Sequence, residues 1–263
     1  MDLGLQGKVA LVGGASRGLG YAAALELARE GCKVALCSRD AEKIKAAAAR
    51  IAEETGSAAA GFALDLNDPE SPAKLVAAVS AQLGPVDILV HNTGGPPVGK
   101  FDSLSVEQYE SALNNNFLSA VRLAKEVVPG MKQRGWGRIV NITSISVKQP
   151  LQGLMLSNCS RTAVVGWART LATEVAGAGV TINNVCPGTI YTERTEELAR
   201  GRAGLNGTTP EQEIEKAKEE IPMGRLGKPE ELAGLIAFLA SNRAAFITGT
   251  TIQCDGGAFR GLM

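Results

Sequence analysis

Short apolar runs alternate with longer helical stretches along the whole chain. "KVALVGG" (8–14) predicts a strand, and residues 18–30, rich in alanine and leucine, predict a helix. "KVALCS" (33–38) predicts a second strand, followed by a helix over 41–54 with Asp40 as its N-cap. A third strand is expected over 59–65, a helix over 69–84 closed by Gly84, and a fourth strand over 86–92. A helix over 106–131, a strand at "GRIVNIT" and a helix over 157–176 follow. "VTINNVCPG" is the sixth strand, "GKPEELAGLIAFLAS" a late helix and "TTIQCDGG" the last strand. The strands are apolar at consecutive positions, as in a parallel sheet covered on both faces. Repeated strand–helix alternation predicts an α/β fold of one domain over 1–263, a doubly wound parallel sheet of Rossmann-type topology.

The helix "RTAVVGWARTLATEVAG" is apolar on more than one side, through Val164, Val165, Trp167, Ala168, Leu171, Ala172 and Val175. Either a large internal core or a subunit interface accounts for it. A homo-oligomer, dimer or tetramer, is the expectation. With 27 acidic and 27 basic side chains among 263 residues, charge gives no case for nucleic acid or anionic membrane. No apolar run reaches membrane-spanning length, and "MDLGLQGKVALVGG" has no basic segment before its apolar stretch, so a cytoplasmic protein is expected. Five scattered cysteines without C-x-x-C spacing suit reduced thiols, and a single histidine, His91, argues against a histidine metal site.

"GGASRGLG" (13–20) joins the first strand to the first helix, with Gly14, Gly18 and Gly20 spaced G-x-x-x-G-x-G. Glycines there let a phosphate approach the free amides of a helix start. A carboxylate at the end of strand two would bind the ribose hydroxyls of NAD and repel a 2′-phosphate. This strand ends in Ser38 and Arg39, with Arg17 in the turn nearby, which favours NADP(H) over NAD. The alternative makes both arginines solvated surface residues.

In this order, these features resemble the short-chain dehydrogenase/reductase family over nearly the whole chain, and most closely in general form its oxoacyl-carrier-protein reductase branch. The turn at 14–20 resembles the family's cofactor motif, with Gly13 in place of a threonine. "LDL" (64–66) resembles its adenine segment, "HNTGG" (91–95) its N-N-A-G, "PGTIYT" (187–192) its nicotinamide loop and "CDGG" (254–257) its C-terminal D-G-G. The resemblance implies cofactor contacts from Gly14, Ser16, Arg17, Gly18, Leu19 and Gly20. Further contacts are implied from Ser38, Arg39, Asp65, Leu66, Asn92, Gly94, Arg161, Pro187, Gly188, Ile190 and Thr192. It implies hydride transfer between the nicotinamide and a carbonyl or alcohol, with Ser144 of "NITSIS" and Asn116 of "NNNF" in the catalytic set.

The family places a tyrosine after that serine with twelve residues between, and a lysine four positions further on. Counting from Ser144 reaches Ser157 and Arg161. These two share a helix face. Arginine suits ribose hydroxyls and holds positive charge near the nicotinamide, whereas an alkyl hydroxyl is far less acidic than a phenol. Ser157 can orient a water or a substrate group but is a poor acid. Among other candidates, Tyr21 is expected to pack on the first helix and Tyr109 to lie on a surface turn. Tyr191 is expected to point outward from its loop, and Cys159 to sit one position off the catalytic face. His91 is expected to serve structurally, through a backbone hydrogen bond near the adenine half of the site. Residues 189–223 form the expected substrate lid, with "RGRAGLNGTTPEQ" suggesting mobility and Arg194, Arg200 and Arg202 either favouring an anionic substrate or facing solvent. The leading expectation is an NADP(H)-dependent oxidoreductase with an atypical proton-donating site. The alternative is a catalytically silent NADP(H)-binding protein, a sensor or an oligomer partner.

Overall fold

A computed structural model describes residues 2–262. Seven strands form one sheet: β1 (Val9–Gly13), β2 (Lys33–Ser38), β3 (Ala59–Ala63), β4 (Ile88–His91), β5 (Gly137–Ile142), β6 (Val180–Pro187) and β7 (Thr251–Cys254). Their spatial order is β3-β2-β1-β4-β5-β6-β7, every neighbouring pair parallel. The chain winds outward from β1 to β3 and then returns to place β4 on β1's other side. Such a switch point opens a crevice at the carboxyl ends of the strands.

Burial on both faces explains the unbroken apolar runs. Ala10 and Val12 of β1 pack into one core, with Leu27 of α1 (Gly18–Arg29), Ile44 of α2 (Ala41–Thr55) and Ile236. Val9 and Leu11 point the other way, into a core with Leu75 of α3 (Ser71–Gln82) and Leu123, Val180 and Ile182. Asp40 caps α2 as predicted, its side chain accepting from the Lys43 amide at 3.0 Å, a cap worth about 1 kcal/mol.

The predicted helix over 106–131 is a more complex element. It runs as α4 (Val106–Leu113), a π-helical turn at Asn114–Leu118 and α5 (Ser119–Arg134). The wide turn shifts the helix register beside the crevice, a common place for a π-bulge. α6 (Met155–Val175) buries Val164, Ala168, Ala172 and Val175, whereas Val165, Trp167 and Leu171 stay half-buried. Phe117 covers part of that second side, meeting Trp167 edge-on with centroids 6.5 Å apart.

The region of the expected lid holds two helices, α7 (Glu193–Asn206) and α8 (Pro210–Glu219), followed by α9 (Pro229–Ala240). Gly201 and Gly204 lie inside α7, and Gly207 ends it in the left-handed conformation at φ 67°. The buried carboxylate of Glu213 ties the pair together by accepting from Asn206 Nδ2 at 3.0 Å and Thr208 Oγ1 at 2.6 Å. Polar residues that suggest mobility in sequence are thus the caps and crosslinks of a helical hairpin. Among the described residues, no helix is long and apolar enough to cross a membrane, and no cluster of three metal-ligating side chains occurs.

Candidate active site

The crevice at the carboxyl ends of the strands holds two adjoining cavities of about 630 and 510 Å³. Gly14, Ser16, Ser38, Asp65 and Leu66 line the first, while Arg17, Arg39, Asn92 and Gly94 line both. Gly18, Leu19, Pro187, Gly188, Ile190 and Thr192 line the second. Of the predicted cofactor residues, only Gly20 stands outside both, one layer beneath the turn. A Cβ on Gly20 would lie 2.8 Å from the Gly13 carbonyl and 2.9 Å from Asn92 Nδ2, so only glycine lets α1 begin against β1. Gly14 takes φ 55°, and Asn92 Nδ2 donates to the carbonyls of Gly13 and Gly14 at 3.2 and 3.3 Å.

The first cavity fits an anionic nucleotide. α1 starts at Gly18 with no side-chain cap, which leaves amides of its first turn for a phosphate. The Ser38 hydroxyl is buried without a hydrogen-bond partner, an expensive state that a ligand acceptor would relieve. Arg39 beside it is exposed and makes no ion pair among the described residues. Lys43, which the sequence reading did not single out, adds another cation to this wall. Its signal is visible only in space, one helical turn past Asp40. Arg17 differs from expectation, being paired to Glu193 and, at 3.4 Å, to Glu197 of α7.

Ser144, Ser157 and Arg161 come together on one wall of the second cavity. Ser144 follows β5 and accepts from the Ser146 amide at 3.1 Å, which leaves its own proton free to donate. Ser157 and Arg161 lie on successive turns of α6, each only 9% exposed. Arg161 Nη1 donates to the Ile142 carbonyl at 2.9 Å. Burial, helped by the nearby charge of Arg194, lowers the Arg161 pKa to about 10, so the group stays cationic at neutral pH.

Asn116 lies behind this wall instead of on it. Its Oδ1 accepts from Thr93 Oγ1 at 2.8 Å and its Nδ2 donates to Ser160 Oγ at 2.9 Å, while Ser160 donates to the Leu156 carbonyl at 2.7 Å. The amide therefore joins the π-turn to α6 and to the loop after β4. Thr93, which lines both cavities, is with Lys43 a wall residue missed in sequence. A hydroxyl in that loop gains meaning only once Asn116 is seen opposite.

His91 has the structural place expected of it, but with a side-chain partner in place of a backbone one. It hydrogen-bonds the Ser119 side chain, with Nε2 2.9 Å from Oγ, and it feels the charge of Arg161 instead of lying at the adenine end. Ser119 spends its single proton on the Asn115 carbonyl at 2.5 Å. Its oxygen must therefore accept from His91, which fixes the imidazole with its proton on Nε2. Full burial, reinforced by Arg161, depresses the His91 pKa to about 3. Neutral histidine in this place is a structural strut.

The tyrosines stay away from the wall. Tyr191 is half exposed and donates to Glu196 Oε1 at 2.6 Å, which raises its pKa. Tyr21 packs under Arg50 on α1, and Tyr109 is half-buried within α4 instead of on a turn. Cys159 is exposed. Of the three lid arginines, Arg194 and Arg202 line the second cavity and Arg200 does not.

A parallel sheet reversing at β1/β4, a glycine turn feeding an uncapped helix and a polar wall beyond it define a Rossmann-type nucleotide-binding domain. The chain belongs to the short-chain dehydrogenase/reductase family, and the family model described as enoyl-(acyl carrier protein) reductase matches residues 14–258. The 3-oxoacyl-[acyl-carrier-protein] reductase FabG of Pseudomonas aeruginosa is 38% identical over 260 residues, covering 98% of this chain and 99% of its own. An acetoacetyl-CoA reductase of Shinella zoogloeoides is 36% identical, covering 96% and 98%. The crystal structure of L-sorbose reductase from Gluconobacter frateurii, complexed with NADPH and L-sorbose, superposes with a TM-score of 0.95 at 33% identity over 100% of both chains.

Proposed function

We propose that this protein is an NADP(H)-dependent oxidoreductase acting on a carbonyl or alcohol substrate, with Ser157 and Arg161 at the positions of the family's tyrosine and lysine. One observation carries the reading: Ser144, Ser157 and Arg161 face a single cavity that adjoins the nucleotide groove. NADPH, as named for the sorbose reductase complex, supplies a hydride when bound. Ser38, Arg39 and the free amides of α1 hold the phosphates, and the second cavity receives the nicotinamide end.

The chain's own contribution is positioning and charge. The Ser144 hydroxyl, its acceptor side already used by Ser146, donates to the carbonyl oxygen. Arg161 faces the ribose and holds positive charge beside the oxygen as negative charge develops there. Ser157 gives up the phenol of its relatives for a short hydroxyl that orients a water. The carbonyl carbon would gain a hydride and its oxygen a proton from that water, which takes a proton back from bulk solvent, leaving the alcohol and the oxidised nucleotide. Loss of a tuned acid costs roughly 10²–10⁴-fold in rate, so slow turnover is expected. Phe101 and Val106 are large apolar side chains 72% and 68% exposed, and Val106 sits on α4, which packs against α6; they support a homo-oligomer.

The distance of every tyrosine from the wall favours a second reading, a silent nucleotide-binding relative. One experiment separates the two. NADPH and NADH are titrated, and oxidation of NADPH is followed with a panel of ketones and oxoacyl thioesters. The panel is repeated with Ser157→Tyr/Arg161→Lys and with Ser144→Ala. Turnover by the unaltered chain that depends on Ser144 is the expected result. Tight NADPH binding with turnover only in the double variant would instead mean a silent protein.

A further inference from the structure

The wall formed by Ser144, Ser157 and Arg161 has no acid on it. Arg161 uses one N–H on the Ile142 carbonyl, and its remaining guanidinium protons have no protein partner among the described residues. Ser157 lines the same cavity, and its hydroxyl makes no side-chain hydrogen bond among the described residues. Glu193, Glu197 and Glu213 line the same cavity but are committed elsewhere. Glu193 pairs with Arg17, Glu197 with Arg17 and Arg194, and Glu213 accepts from Asn206 and Thr208. A buried guanidinium without a counter-charge is costly, and folds retain one where something negative arrives.

The lid adds a second positive group. Arg194 reaches from α7 to the Pro96 carbonyl at 3.0 Å and lies close enough for its charge to act on Arg161. Ribose hydroxyls would accept hydrogen bonds here but leave the charge unbalanced. A carboxylate matches it, because the planar fork of arginine meets two coplanar oxygens with paired N–H groups. The short side chain of Ser157 leaves space for such a group beside Arg161.

We infer that the substrate carries a free carboxylate near its carbonyl or carbinol carbon, an oxo acid or the corresponding hydroxy acid. Arg161 receives the carboxylate through N–H groups that neither the Ile142 carbonyl nor the ribose uses, Ser157 donates to it while its oxygen accepts from the water of the reduction, and Arg194 completes the positive end of the cavity. This inference rests on the oxidoreductase reading for its reaction but not for its anion site. It also separates the chain from relatives named for oxoacyl-carrier-protein substrates, whose thioester has no charge at that point.

The full chain saturated with NADP⁺ is titrated calorimetrically with benzoate and with benzamide. In parallel, NADPH oxidation is measured with pyruvate, acetoacetate and their methyl esters. Benzoate is expected to bind at least about ten-fold tighter than benzamide, and the acids to exceed their esters in kcat/KM by about ten- to hundred-fold. Arg161→Gln erases both preferences, Arg161→Lys keeps part of each, and Arg194→Gln weakens them. Equal binding of benzoate and benzamide, or preferences that survive in Arg161→Gln, would overturn the carboxylate site. Benzoate selectivity without turnover of any carbonyl supports the site and removes only the oxidoreductase reading. Turnover of neutral ketones without benzoate selectivity does the reverse.

Discussion

Arg161 on α6 donates to the main-chain carbonyl of Ile142, the last residue of β5, at 2.9 Å. The bond fixes the guanidinium against the sheet end, two residues before Ser144. It is the only protein hydrogen bond of this side chain among the described residues, so the rest of the fork serves the cavity. The site thus places a buried cation where stability alone would favour an apolar side chain.

That conflict can be measured. Arg161→Met keeps an unbranched apolar stem, shorter than arginine, and removes the charge, losing one hydrogen bond worth about 1–2 kcal/mol but also the desolvation of a cation. Thermal unfolding is expected to stay within about 3 °C of the parent, since 1 kcal/mol moves Tm by roughly 2–4 °C at this size. Turnover should fall at least about a hundred-fold in the same variant. A drop of ten degrees would mean that Arg161 is a structural residue first.

Ser38 is the position at which nucleotide choice can be tested. Its hydroxyl is buried and unpartnered at the end of β2, with Arg39 exposed alongside. Ser38→Asp would put a carboxylate where it accepts from ribose hydroxyls and repels a 2′-phosphate. The ratio of NADPH to NADH affinity is expected to fall about a hundred-fold, and the parent's NADPH affinity to weaken with salt more than the variant's. Fluorescence titration of both nucleotides at two ionic strengths checks it. An unchanged ratio would place the 2′ end of the nucleotide elsewhere.

Gly20 tests the turn without touching ligand. It lines neither cavity, yet a Cβ there would press on the Gly13 carbonyl and Asn92 Nδ2. Gly20→Ala is expected to cost about 1–3 kcal/mol through overpacking and to loosen NADPH by ten-fold or more as Gly14 and Asn92 shift. Urea unfolding read beside nucleotide titration separates the two effects. Parent-like behaviour in both would show that α1 can move away from β1 freely.

Much of this was legible in sequence because it is local. Strand runs such as 8–14 and 33–38, the Asp40 cap and the G-x-x-x-G-x-G turn each depend on neighbours along the chain. The doubly wound parallel sheet followed from the alternation of strands and helices. The departures share the opposite property. The partners of the Asn116 side chain, Thr93 and Ser160, come from two other elements. The glycines of 200–212 suggested mobility, although the hairpin is closed by Glu213 reaching back to Asn206 and Thr208. Arg17 looked free for a phosphate, and Glu193 and Glu197 lie far from it in sequence. Single-residue chemistry is readable before folding; which groups face each other is not.

His91 offers a pH signature of the buried wall. Its pKa is depressed to about 3 in the folded chain by full burial, and then by Arg161, against about 6.5 when unfolded. Below pH 6.5 the unfolded chain therefore binds a proton that the native state refuses. This contribution is fully present above pH 6.5 and is lost as pH falls from there towards 3. The slope approaches about 1.4 kcal/mol per pH unit. His91→Asn removes the titrating group while keeping a side-chain amide to meet Ser119. Urea midpoints at pH 7, 6, 5 and 4 should therefore fall more steeply for the parent than for His91→Asn, with the curves diverging only below about pH 6.5. Parallel curves would mean that the imidazole accepts its proton inside the fold, which would require Arg161 to lie further from it or water to reach it. A divergence that shrinks in Arg161→Met would show the two buried nitrogenous groups acting on each other, because removing one cation eases protonation of the other.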